Sequence, residues 1–190
     1  MKSARLLLGI VAVAGGMLHM PAHARATEVT VTEERATPPL EKQIDLIRKL
    51  VPQAKRVGMV YNPANPASVA VVKQMRELLP KAGMSLSEAT APQATEVGAA
   101  ARNLIGKVDV IYTTDDSNVV SAYESIVKVG ENAKIPLIAD DIDGVKRGAA
   151  AALGIVAGNK LALYVNPDAA AKQGVIFSDA IIKSASEIIR

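Results

Sequence analysis

The sequence predicts an α/β protein: a parallel Rossmann-like sheet flanked by helices. Three observations carry that expectation. Short apolar runs at residues 56–61, 108–112 and 135–139 are solid enough to be strands covered on both faces. Between them lie amphipathic stretches of about 10 to 15 residues, the length of crossover helices. Pro, Gly, Asn and Asp punctuate the junctions. Strand and helix alternating in this way argue parallel strands joined by right-handed crossovers.

Taken in order, residues 25–39 are polar and read as a leader. Leu40, Ile44, Ile47 and Leu50 then recur at helical spacing, and Pro52 stops the helix. A strand over 56–61 runs into a turn at 62–66. A helix spans 67–79 and is ended by Pro80 and Gly83. The strand at 84–89 alternates apolar with polar residues, which suits a place near a sheet edge. A helix follows over 95–105 with Thr95 as its cap. The strand at 108–112, a polar loop at 113–118 and a helix at 119–133 form the next unit. The strand at 135–139 leads through 140–144 into a short helix or turn. Residues 149–156 are small and apolar, 161–165 read as a further strand, and Asn166-Pro167 opens a last helical region reaching Arg190.

Composition narrows the function classes. Of 190 residues 49% are hydrophobic and 22% charged, which excludes a disordered chain. There is no cysteine, which removes disulfides, thiol catalysis, CxxC redox chemistry and cysteine-ligated zinc. Aromatics make up 3%, with no Trp and one Phe, too few for a base-stacking nucleic-acid surface. The two histidines, His19 and His23, fall in a segment that reads as removable.

That segment has the three parts of a secretory signal peptide. Lys2 and Arg5 form the positive start, residues 6–18 an apolar run broken only by glycine, and Ala22-His23-Ala24 a small-x-small cleavage site. The run is short for a membrane span, and no second one follows, so the expectation is a periplasmic chain, residues 25–190, with no membrane span. Without Lys2 and Arg5 the count of 22 basic residues falls to 20 against 19 acidic ones, a net charge of +1. A polyanionic partner therefore has no support.

In an open parallel sheet, ligands bind beyond the carboxyl ends of the strands. Three loops are expected there: residues 61–68, 113–118 and 140–143. All are rich in short hydrogen-bonding side chains. Any single Asn, Asp or Ser there reads more readily as a helix cap or turn residue than as a ligand group. Their collection on one edge is the functional signal. The run Ala139-Asp140-Asp141-Ile142-Asp143-Gly144 also resembles the opening of haloacid-dehalogenase-like phosphatases. There, two such carboxylates, here Asp141 and Asp143, would work around magnesium. Only 45 residues follow Val145 to hold the remaining motifs. No glycine-rich dinucleotide or phosphate loop is present. No cofactor, metal or catalytic residue is expected.

Residues 43–61 (QIDLIRKLVPQAKRVGMVY) with Asn62-Pro63, residues 106–122 (GKVDVIYTTDDSNVVSA), residues 133–154 (AKIPLIADDIDGVKRGAAAALG) and residues 161–175 (LALYVNPDAAAKQGV) occur together and in order. In this they resemble the second lobe of ABC-transporter substrate-binding proteins related to tryptophan- and tyrosine-binding lipoproteins. The resemblance implies one lobe of a type I periplasmic binding protein and a non-catalytic role. It also implies a small ligand such as an amino acid, and an ABC permease as partner. Family members carry a complete first lobe before the segment that begins here at residue 40, so the chain is expected to be essentially one lobe, with 40–160 its body and 161–190 a strand and helices derived from the hinge. By position the resemblance implies ligand-facing roles for Tyr61, Asn62, Asn65 and Ser68, for Thr114, Asp115, Asp116 and Asn118, and for Asp141 and Asp143. It further raises an interaction module or homodimer, with Ile181, Ile182, Ile188 and Ile189 covered by a second copy.

Overall fold

The structure, a computed structural model, describes residues 37–190. The signal-peptide expectation and residues 25–36 of the leader lie outside the described residues. Helix α1 (Leu40–Leu50) precedes β1 (Arg56–Tyr61), α2 (Pro66–Lys81) and β2 (Ser85–Thr90). A 3-10 turn at Ala94–Glu96 continues as α3 (Val97–Arg102), followed by β3 (Val110–Thr113), α4 (Ser117–Ser121), α5 (Tyr123–Ala133), β4 (Leu137–Ala139) and α6 (Ile142–Lys146). The rest is β5 (Ala151–Val156), β6 (Lys160–Val165), α7 (Pro167–Lys172), α8 (Asp179–Ser184) and β7 (Glu187–Ile188).

The seven strands form one sheet in the order β2-β1-β3-β4-β5-β6-β7. The first five are mutually parallel, β5 and β6 form an antiparallel hairpin, and β7 runs parallel to β6. The sheet is thus mostly rather than wholly parallel. Its hairpin turns at Gly158 and Asn159, with φ of 77° and 57°. Two consecutive left-handed residues are what a tight antiparallel turn requires.

Strand side chains alternate between the two faces, and the core divides accordingly. Val57, Met59, Val110, Tyr112 and Ile138 face a layer completed by α1 and α2 through Ile44, Ile47, Leu50, Val72, Met75 and Leu79. Val60, Ile111, Leu137 and Ala139 face the other, with Val97, Ala101, Val119, Tyr123 and Ile126 from α3, α4 and α5. Both faces of β1, β3 and β4 are therefore dry, which is why their sequences are solid rather than alternating. Strand β2, with no fully buried residue, is at the edge, as expected.

Several boundaries differ from the sequence reading, each for a local reason. Thr95 lies inside the 3-10 turn. The start is capped by Gln93, whose amide donates to Glu96 Oε2 (3.0 Å) in a reciprocal capping box. Pro80 falls within the last turn of α2, and the chain reverses at Gly83 with φ of 74°. The helix expected over 119–133 begins at Ser117 and breaks at Ala122 into α4 and α5. The helical region expected to reach Arg190 ends instead at Gly174 (φ 85°), resumes as α8, and turns extended at Ala185 to add β7.

That last difference bears on assembly. Ile181 and Ile182 pack against one core layer and Ile189 against the other, while Ile188 is exposed. Ala149–Ala152 are fully enclosed. The chain covers most of this surface itself, so the apolar tail no longer argues for a second copy.

Candidate functional site

Because β1, β3, β4 and β5 point the same way, the loops after β1, β3 and β4 meet on one edge of the sheet. The ten residues singled out from the sequence divide there into a hydrogen-bonded support and a cleft.

The support joins the first loop to the second. Asp116 is fully buried and its carboxylate accepts four hydrogen bonds. One oxygen takes the amides of Asn118 (3.0 Å) and Val119 (3.3 Å), capping α4. The other takes the amide of Asn62 (3.0 Å) and the hydroxyl of Ser68 (2.6 Å). Asn65 caps α2 by accepting from Ala67 and Ser68, and Asn62 accepts from Ala64. Asn118 donates through Nδ2 to the Ala91 carbonyl (3.0 Å), tying in the chain after β2. Tyr61 donates its hydroxyl to Glu88 (3.1 Å), which also receives Arg76. These six side chains hold the loops and do not border the cleft.

The cleft opens between the ends of β3 and β4, with a volume of roughly 120 Å³. Thr114, Asp115, Asp141 and Asp143 line it, and so do Asp140, Tyr123 and Arg147. Asp140 accepts the amide of Asp115 (3.0 Å) and gives its own amide to Thr113 (3.1 Å), so β3 and β4 remain stitched beyond their last ladder pair. Burial first, and then the charges of Asp141 and Asp115, push the Asp140 carboxyl up to about 7, against the pull of the Asp115 amide. Asp141 caps α6 by accepting from Gly144 (2.9 Å). Asp143 sits 3.4 Å from Lys146. Gly144 has no room for a side chain, since a Cβ there would stand 2.8 Å from the Tyr123 hydroxyl.

Tyr123 is buried, and its hydroxyl shares a hydrogen bond with Thr113 (3.0 Å). Burial raises its pKa well above the usual phenol range. Arg147 lies over the Tyr123 ring, 5.0 Å from the centroid, and binds Glu124 (2.8 Å) and the Val120 carbonyl (2.6 Å). Thr114 is buried, and its hydroxyl has no hydrogen-bond partner among the described residues.

Asp140, Tyr123 and Arg147 were not among the expected site residues. Asp140 carried a signal, being the first polar residue after the apolar run of β4 and hence at the sheet edge. Tyr123 and Arg147 carried none, because only the fold brings α5 and the end of α6 against the cleft. The phosphatase alternative finds no support in this placement. Among the described residues no cluster of three metal-ligating side chains occurs.

The family described as ABC transporter substrate binding protein matches residues 14–159. A curated relative, the tyrosine-binding protein of Clostridioides difficile (strain R20291), is 33% identical over 116 residues, which cover 61% of this chain and 34% of that one. The crystal structure of a conserved domain protein from Vibrio cholerae superposes with a TM-score of 0.74 at 26% identity, covering 81% of this chain and 61% of that one. An ABC domain in complex with L-Trp from Streptococcus pneumonia superposes with a TM-score of 0.70 at 21% identity, covering 80% and 62%. The chain therefore spans about a third of the curated relative's length and about three-fifths of each solved chain.

Proposed function

The chain belongs to the family of ABC transporter substrate-binding proteins, a family of binding proteins rather than enzymes, and from that premise we propose that it is the solute-binding component of an ABC transporter. Its ligand on this reading is an amino acid or a similar small polar molecule, and its partner an ABC permease. It acts in the periplasm after removal of residues 1–24. The described lobe contributes one wall of the ligand site.

The observation that carries this reading is the cleft itself. Four aspartates converge where an open parallel sheet accepts ligands. Carboxylates suit a ligand amine through charge-assisted hydrogen bonds. The names of the relatives, one tyrosine-binding and one solved with L-Trp, support amino acids as the class to try first. Of the implied ligand-facing residues, Thr114, Asp115, Asp141 and Asp143 are proposed to meet the ligand. Tyr61, Asn62, Asn65, Ser68, Asp116 and Asn118 are proposed to hold the loops that present them.

Isothermal titration of the purified full chain with the amino acids tests the reading. A single wall leaves polar contacts in competition with water, each worth about 1 kcal/mol net, so dissociation constants near about 1 mM are expected. Absence of saturable heat for every amino acid and simple amine, with the protein shown to be folded, would overturn it.

A further inference from the structure

The two sides of the cleft are built on different elements. Asp115 precedes α4 on one side, and Asp141 and Asp143 open α6 on the other. Helix α4 has only five residues, too few to hold its place by its own hydrogen bonds. Its start is fixed by the Asp116 cap. Its end is a break: Ala122 has φ of −121° and ψ of 27°, and the Ser125 amide turns to the Ala122 carbonyl (2.9 Å). In a continuous helix the Val120 carbonyl would receive the Glu124 amide. Here it receives Arg147 Nη1 at 2.6 Å.

Arg147 is the residue that closes α6. Its guanidinium gives Nη1 to Val120, and Nε and Nη2 to Glu124 (3.2 and 2.8 Å). Its face lies 5.0 Å from the centre of the Tyr123 ring. One side chain thus joins the end of α6 to the end of α4 and to the first turn of α5. Tyr123 extends the link to the end of β3, since its hydroxyl shares a hydrogen bond with Thr113 (3.0 Å). Only a planar fork can serve a carbonyl and a carboxylate in two directions while lying flat on a ring; a compact ammonium cannot.

Helix α6 is also fastened without this side chain. A Cβ at Gly144 would stand 2.8 Å from the Tyr123 hydroxyl, and one at Gly148 would stand 3.0 Å from Val127, so α6 lies directly on α5. The Arg147–Glu124 pair is part-exposed, at 32% and 66%, and such pairs add little to global stability. What Arg147 sets is the placement of the end of α4 against α6, rather than the stability of the sheet beneath.

Resting on the solute-binding reading above, we infer that Arg147 is a positioning residue for the ligand: by tying the break between α4 and α5 to the end of α6, it fixes the width of the cleft between Asp115 and the Asp141–Asp143 side. Asp140 reports that width, because it joins the two sides. Its carboxyl accepts the Asp115 amide (3.0 Å), and burial is the largest cause of its rise to about 7. A cleft that widens admits water and lowers that midpoint.

Two variants of the full chain test the inference: R147K, which keeps the charge and loses the fork, and R147M, which loses both. In each, the Val120 and Ala122 amides, which bond back to Asp116 and Asn118, should exchange their hydrogens at least about tenfold faster, while the amides of β1 and β3 keep wild-type rates. Carbon-13 NMR should show the Asp140 midpoint of R147K moving down toward the usual carboxylate range, a change that no lost cation can explain. Calorimetry with L-tryptophan should show binding weakened at least about threefold. Exchange and titration as in wild type, protection lost equally across the sheet, or an unchanged L-tryptophan affinity would each overturn the inference and leave the solute-binding reading standing. Failure of L-tryptophan and every other amino acid to bind the wild type would overturn both.

Discussion

Replacing Asp116 with Asn isolates the link between the first two loops, because it keeps the side chain's shape and changes one oxygen into a donor. The remaining oxygen can still cap α4 through Asn118 and Val119. On the other side, the new amide faces the Asn62 amide and the Ser68 hydroxyl. The hydroxyl can rotate to accept; the Asn62 N–H cannot. One part-buried backbone donor is thus stranded, at about 1–3 kcal/mol, and the three surviving bonds lose their ionic partner. A total near 3 kcal/mol is expected for D116N. About 5 kcal/mol is expected for D116A, which also loses the cap, itself worth about 1 kcal/mol. S68A should cost about 1 kcal/mol, since the carboxylate keeps its other three donors. In a domain of this size D116N should lower the melting temperature by about 10 °C. Urea unfolding of wild type, both singles and the S68A/D116N double variant would measure the coupling. A D116N stability within about 0.5 kcal/mol of wild type would refute the reasoning, for it would mean that the stranded Asn62 donor finds water at no cost.

Two further perturbations probe the rest of the framework. Asp140 holds its proton more tightly when folded than unfolded, so its contribution to stability is full below about pH 4, declines as pH rises toward 7, and is level above. The groups facing it are Asp141, Asp115 and Asp143, the two tyrosines 112 and 123, and Arg147. D140N should flatten the urea midpoint between pH 4 and 7, and a curve parallel to wild type would contradict the assignment. Asp109, held below the usual carboxylate range chiefly by its hydrogen bond from Arg56, acts in the opposite sense and loses its contribution as pH falls through that range. G130A sets helix propensity against packing in α5. Propensity favours Ala by about 1 kcal/mol, but the new methyl would meet Leu137 and stand 2.7 Å from the Ile135 carbonyl, an overpacking worth up to about 3 kcal/mol. A net loss near 2 kcal/mol in chemical denaturation is expected, and a stabilised variant would show that the junction before β4 yields freely.

The layered α/β architecture was legible because burial on both faces leaves an unmistakable mark: Val57–Val60, Val110–Tyr112 and Leu137–Ala139 can only be interior strands. Helix α1 was legible because Leu40, Ile44, Ile47 and Leu50 set its phase, and it ends at Leu50, two residues before the Pro52 expected to stop it. The hairpin was not identified, although Gly158-Asn159 carries a recognised turn pair; its strands are half exposed and do not read as a solid run. The edge holding the candidate site was legible, but not the division of labour on it. Asn65, Asp116 and Asp141 are capping types in capping positions, and sequence cannot say which of them spends its side chain on a cap and which also borders a cleft. That is settled by distance across loops, as Ser68 reaching Asp116 over 48 residues of chain shows.

The two margins of the sheet have a bearing on behaviour at high concentration. A strand with one unpaired side is a template on which other chains can assemble. At one margin, β2 is mostly polar and carries the Glu88–Arg76 ion pair. At the other, β7 offers two residues, Glu187 and Ile188. One margin is thus charged and the other is cut short, so neither presents the long, flat, greasy ribbon from which fibrils grow.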